Sequence, residues 1–166
     1  MTDLKQTMIT SLPRLRRFAR TLARSIPEAD ELVQEACLKA LKSADQWDAS
    51  QPLDRWLFRI VRNTWYSELR KRQVRLGEGQ IPAEESDELI ETATGEALAI
   101  AGDLRRAVDA LPSELSSALL IVSVEGYSYA EAAELLDVPI GTVMSRIHRA
   151  RKLLAGRLAE TGEDQA

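Results

Sequence analysis

The chain has 166 residues, 45% of them hydrophobic and 29% charged, with a formal net charge of −4. That length allows one domain or two small ones, and the apolar fraction supports packed cores over wholesale disorder. A single cysteine, Cys37, excludes an internal disulfide and a cysteine-based metal cluster, and the longest apolar run, Ala118 to Val122, is far too short to span a bilayer.

The N-terminus carries no basic, apolar, small-residue signal, so the expected location is the cytoplasm, without membrane insertion. The negative net charge argues at first against nucleic acid, but its distribution reverses that impression. Residues 1–75 hold 15 Lys/Arg against 9 Asp/Glu, residues 76–103 hold 8 Asp/Glu and no Lys/Arg, and residues 104–166 hold 7 against 9 with their bases crowded near the end. A basic head and an acidic middle suit a DNA binder whose linker avoids or mimics DNA.

Met1 to Ala23 has a helical apolar set of Leu4, Met8, Leu12, Leu15, Phe18, Ala19 and Leu22; Pro13 either ends a first piece or starts a second. Arg14, Arg16, Arg17, Arg20 and Arg24 give this segment a basic surface. The next helix opens with Ser25, Pro27, Glu28, Asp30 and Glu31, all suited to a helix start. Leu32, Val33, Ala36, Cys37, Ala40 and Leu41 are predicted to face a core, and Asp30, Glu31, Gln34 and Glu35 to face out. On spacing alone those acids read as helix stabilisation, and Cys37 as a buried, inert thiol.

Lys42 to Pro52 is a polar loop with Trp47 in its middle, an aromatic that either tucks into the core or offers a stacking surface. Leu53 to Arg75 is the longest helical pattern, with Leu53, Leu57, Ile60, Val61 and Thr64 as its inner stripe. Arg55, Arg59, Arg62, Tyr66 and Arg70 share the opposite face, and Lys71, Arg72 and Arg75 extend the charge. Positive charge with interleaved aromatics is the surface that holding a melted DNA strand requires.

Leu76 to Asp103 is acidic, contains Gly77, Gly79 and Pro82, and lacks sustained periodicity until Ala97; it reads as a flexible tether. Leu104, Ala107, Val108 and Leu111 begin a second domain. Pro112 breaks it, Ser113 can cap a helix with Leu115, Ala118, Leu119 and Val122 inward, and Gly126 ends that helix.

Two short helices then flank a tight break. Ser128 caps the first, whose packing residues are Ala132, Ala133 and Leu136, and Asp137 suits a left-handed exit. Pro139 and Gly141 interrupt, and Thr142 can cap the second helix from Val143. Val143, Ile147, Ala150 and Leu154 form an apolar stripe on it, with Met144, Ser145, His148, Arg149 and Lys152 on the other side and Arg146 and Arg151 at the edges. This is the grammar of a helix-turn-helix, whose outer arc can reach base edges while flanking arginines hold phosphates. A solvated face on an ordinary helical hairpin is the bland alternative. The tail after Leu158 is polar and reads as frayed.

The segment EGYSYAEAAELLDVPIGTVMSRIHRARKLL resembles region 4 of extracytoplasmic-function (ECF) sigma factors, the smallest members of the sigma-70 family. The family usually has Lys or Arg where this chain has Met144. EADELVQEACLKAL resembles region 2.2, and DRWLFRIVRNTWYSELRKR resembles regions 2.3 and 2.4. Many members have Asp four residues after Asn63, where this chain has Ser67; that Ser with LRKR following resembles the general-stress branch of α-proteobacteria. Together the blocks cover roughly residues 10–75 and 104–158, in the family's order and with its gap.

The resemblance implies an all-α chain of two small helical domains. Residues 1–75 would bind core RNA polymerase and the minus-10 element, residues 76–103 form an acidic linker threading toward the polymerase channels, and residues 104–160 bind the minus-35 element. It implies minus-35 contacts from Thr142, Ser145, Arg146, His148, Arg149, Arg151 and Lys152. The minus-10 set is Lys39, Trp47, Arg59, Arg62, Asn63, Tyr66 and Arg70, with Asn63 at a base-reading position and the Trp47 loop helping to form a pocket for an unstacked base. Asp30, Glu31, Leu32, Gln34 and Glu35 would contact the clamp helices of the polymerase β′ subunit. The implied partners are core RNA polymerase (β′ clamp helices and β flap), promoter DNA and an anti-sigma factor. No cofactor or metal is expected and the chain reads as no enzyme: His148 is its single histidine and it has no Gly-rich phosphate loop. The alternative function is a sigma-like decoy that binds an anti-sigma factor without binding DNA. An ordinary helix-turn-helix repressor leaves the 53–75 helix unexplained.

Overall fold

In the computed structural model, which describes residues 2–23, 25–75 and 96–164, seven α-helices divide between two units. No strand occurs among the described residues, and no helix among them is long and apolar enough to cross a membrane. Arg24 and residues 76–95 of the acidic segment lie outside the described residues.

The first unit contains α1 (Thr2–Ala23), α2 (Ile26–Lys42) and α3 (Leu53–Arg75), each packed on the other two. The apolar period of α1 buries Leu4, Met8, Leu15, Phe18, Ala19 and Leu22, with Ser11 buried in line and Leu12 only partly covered. Pro13 neither ends nor starts a helix but lies within α1. Pro13 and Ile9 are both exposed, so the carbonyl that a proline cannot serve faces water, which lowers the cost of the missing bond.

Ser25 caps α2, its Oγ accepting the Glu28 amide at 3.3 Å. Ala29, Leu32, Val33, Ala36 and Ala40 form the buried stripe. Two expected core residues lie beside that stripe: Cys37 is half-buried and Leu41 is exposed. Burial raises the Cys37 thiol above its usual pKa, more than nearby Arg16 lowers it, so the thiol stays protonated at neutral pH.

On α3 the buried residues are Leu53, Leu57, Phe58, Val61 and Thr64, with Ile60 at the margin. Phe58 meets Phe18 edge-on, ring centres 5.4 Å apart at 83°, a geometry that contributes about 0.5–1.5 kcal/mol beyond area burial. Arg14 lies 5.4 Å over the Phe58 ring and pairs with Asp54 at 3.0 Å, fastening α1 to the start of α3. Arg72 does the same at the other end: it pairs with Glu28 at 3.3 Å and Glu68 at 3.6 Å, over Trp65. Between α2 and α3 the loop makes one 3₁₀ turn, Ala44–Gln46.

The second unit starts with α4 (Glu96–Asp109), which begins ahead of residue 104, where the sequence places the start of the second domain. Ala107 and Leu111 are buried, whereas Leu104 is exposed. Next comes α5 (Ser113–Leu119), which Ser113 begins rather than caps. Its carbonyl instead accepts the Ser117 hydroxyl at 2.7 Å, satisfying a buried polar side chain.

The chain then widens into a π turn, Leu120–Val124, with the Glu125 amide reaching the Leu120 carbonyl at 3.0 Å. Ile121 is buried there, and the expected Val122 lies at the margin. Gly126 at φ 76° turns the chain into α6 (Tyr129–Leu136), and α7 (Ile140–Asp164) follows. Helices α4, α5 and α6 all pack on α7. The helix continues past Leu158, where the sequence suggests fraying.

Candidate nucleic-acid interface

The α6–α7 junction is tightly specified. Ser128 Oγ accepts the Glu131 amide and Glu131 Oε1 accepts the Ser128 amide, both at 3.1 Å, closing a capping box. Asp137 ends α6 at φ 55°, ψ 49°, and the Val138 amide reaches back to the Ala133 carbonyl at 3.1 Å. Pro139 then starts the new helix: its carbonyl accepts the Thr142 amide at 3.0 Å and the Val143 amide at 3.3 Å. Thr142 is therefore inside the first turn of α7, not its cap. The break is made by Asp137 and Pro139; Gly141 lies in the helix without a positive φ.

Val143, Ile147 and Ala150 are almost fully buried, which fixes the rotation of α7 about its axis. Ser145, His148, Arg149, Arg151 and Lys152 consequently face solvent, together with Met144 and the unanticipated Ile140. Ser145 Oγ donates to the Thr142 carbonyl at 3.0 Å and keeps its lone pairs outward. Arg146 differs from the rest: it is largely covered and pairs with Glu114 of α5 at 3.7 Å. All seven residues read as minus-35 contacts thus share the first half of one helix; five are exposed, Thr142 is partly covered, and Arg146 is turned toward its neighbour.

On α3 the structure brings Arg62, Asn63 and Tyr66 together. The Arg62 guanidinium lies 4.5 Å over the Tyr66 ring and its Nη1 donates to Asn63 Oδ1 at 3.1 Å. Arg59 and Arg70 are exposed on the same helix. Two other members of the minus-10 set are engaged within the unit. Lys39 pairs with Glu35 at 3.4 Å, and Trp47 folds over its own loop, Nε1 donating to the Gln51 carbonyl at 3.1 Å. Trp47 is partly buried and lines an open depression of about 530 Å³ with Leu4, Leu41, Lys42 and Ala44. The same loop holds Asp48, whose carboxyl is pushed below its usual pKa by hydrogen bonds from Ser50.

Along α2, Glu31, Gln34 and Glu35 are exposed, and Asp30 is partly covered with Arg16 at 3.9 Å. Leu32 is 5% exposed and belongs to the core, so it supports this face and cannot touch a partner. Exposed apolar residues on the same side are Leu38 and Leu41, which helical spacing from Glu31 and Gln34 marks out. No group of three or more potential metal ligands gathers among the described residues.

The sequence matches the family models for Sigma-70 region 2 over residues 8–75 and Sigma-70, region 4 over residues 101–154. It is 35% identical over 167 residues to the ECF RNA polymerase sigma factor EcfG of Rhodopseudomonas palustris, covering 99% of this chain and 90% of that one. It is 31% identical over 154 residues to the ECF RNA polymerase sigma-E factor of Escherichia coli, covering 86% and 81%. Among solved structures it resembles the sigma factor RpoE of Bartonella quintana, crystallised with the anti-sigma factor NepR. That match has a TM-score of 0.74 and 32% identity, over 96% of this chain and 98% of that one. With both region models matched in order, and relatives spanning nearly its whole length, the chain belongs to the ECF sigma factors of the sigma-70 family.

Proposed function

We propose that this protein joins core RNA polymerase in the cytoplasm and directs it to promoters. In this reading α7 grips the minus-35 duplex and α3 with the Trp47 loop captures the melted minus-10 strand. The acidic face of α2 docks on the β′ clamp helices, and the second unit meets the β flap. Bond-making chemistry stays with the polymerase. Residues 1–75 and 104–160 carry the two sets of contacts and residues 76–103 tether them, α4 starting within the tether. An anti-sigma factor is the further partner, as it is for the Bartonella quintana relative.

One observation carries the reading. The buried Val143, Ile147 and Ala150 stripe orients an outer arc of His148, Arg149, Arg151 and Lys152 away from the core. Such an arc supplies both phosphate charge and groove-facing hydrogen bonds.

The test is promoter-dependent transcription: purified protein and core polymerase on fragmented genomic DNA, with sequencing of transcript starts. Discrete starts preceded by a shared pair of elements are expected. In the same assay Asn63→Ala should keep core binding and lose promoter opening. Absence of both core binding and starts would sink the reading and leave the decoy.

A further inference from the structure

We infer that Met144, flanked by Ile140, recognises the 5-methyl group of a thymine in the minus-35 element. This inference rests on the duplex-binding assignment of α7. It adds a base identity, and a mode of reading, that the basic arc alone does not supply.

Ile140 and Met144 stand one turn apart on the first two turns of α7, 48% and 51% exposed. Neither belongs to the buried stripe of Val143 and Ile147 that seats the helix. Around and beyond them on the outer side are Ser145, His148 and Arg149, all exposed and polar. An apolar pair is thus set at the entry end of an otherwise polar, basic arc. In a helix-turn-helix the N-terminal residues of the second helix reach the base edges, while basic side chains hold phosphates.

The chemistry of the groove selects the ligand. Among base edges in the major groove, the thymine methyl is the apolar feature; the other edges present donors and acceptors. Methionine offers no hydrogen-bond donor and only a weak acceptor, so Met144 over a guanine would leave that base's acceptors dehydrated and unpaired. A lysine or arginine at this position would favour guanine or a phosphate instead. Met144 therefore replaces a polar reading by an apolar one, and Ile140 closes the methyl site from the side.

The test uses the full chain in holoenzyme, on a promoter located by start mapping, with each minus-35 thymine replaced in turn by deoxyuridine. That change deletes the methyl and leaves the hydrogen-bonding edge intact. One position should lose about fourfold in affinity, equivalent to the about 0.8 kcal/mol of one buried methyl-sized group. Met144→Ala should bind the thymine and deoxyuridine promoters equally, and Ile140→Ala should narrow the difference. An unchanged melting temperature for Met144→Ala would show that the fold is intact, since the residue lies outside the core.

Equal binding of thymine and deoxyuridine by the wild-type protein at every position would overturn the inference, as would discrimination that survives in Met144→Ala. A minus-35 element without thymine would do the same. If Met144→Ala instead weakens core polymerase or anti-sigma binding, the apolar pair is a protein contact and the inference falls. Loss of all duplex binding by the wild type would remove the minus-35 assignment itself, a result distinct from normal promoter binding that ignores the methyl.

Discussion

The outer faces of α3 and α7 carry similar residue types in opposite states. On α3 the polar surface is organised internally: Arg62 covers Tyr66 and donates to Asn63, and nearby on the same unit Lys39 pairs with Glu35 and Arg16 with Asp30. On α7, engagement is seen at Ser145 and Arg146, while His148, Arg149, Arg151 and Lys152 extend outward. In the proposed function, α7 meets a preset duplex groove with side chains that already face solvent. A melted strand has no preset shape, and a platform whose aromatic and donors are already positioned loses less entropy on capturing it. On the proposed assignments, prior organisation would mark the single-strand face and availability the duplex face.

Perturbing α7 can break this contrast in graded ways. The largest effect should come from Ile147→Ala, which empties the stripe that orients the arc; a loss of about 2–5 kcal/mol in unfolding free energy is expected by denaturant titration. Duplex binding should fall with it, although no DNA-facing side chain has changed.

Arg149→Ala should leave stability unchanged and cost about 1–3 kcal/mol of promoter binding, with preference relaxed at one base position. A loss equal across sequences would make it a phosphate contact, the role expected of the flanking Arg151. Ser128→Ala removes half of the capping box and should lower stability by about 0.5–2 kcal/mol in the same titration, with DNA selectivity preserved.

The smallest change is Gly141→Ala. An added Cβ meets nothing within 4 Å, and the residue is helical, so a gain of about 0.5–1 kcal/mol is expected. If promoter binding nevertheless drops, the space over Gly141 is where the DNA approaches.

Local signals were legible wherever one helix or turn decides its own geometry. Ser25 and Ser128 cap as their positions suggest, and Asp137 takes the left-handed exit. Val143, Ile147 and Ala150 are buried at the predicted spacing. The misses have a common origin in neighbours. A helix period starting at Leu115 and Ala118 points to Val122, but Ile121 is the buried residue, and nothing in that short apolar run announces the π turn. Thr142 looks like a cap by residue type, whereas the Pro139 carbonyl already opens the helix.

Leu32 is buried as its helical spacing predicts, at odds with the contact role that the family resemblance gives it. Helical spacing puts Arg146 at the edge of the arc and Arg149 within it, but only the position of Glu114 on α5 shows that Arg146 is engaged.

By itself the sequence determined the helices, the caps at Ser25 and Ser128, the order of the two regions and the side of α7 that is polar, since these follow from periodicity and short-range hydrogen bonding. Tertiary structure decided which polar residues remain available. Whether Arg146 faces a partner or a neighbour depends on α5 being brought alongside it, and spacing within one helix carries no record of that neighbour.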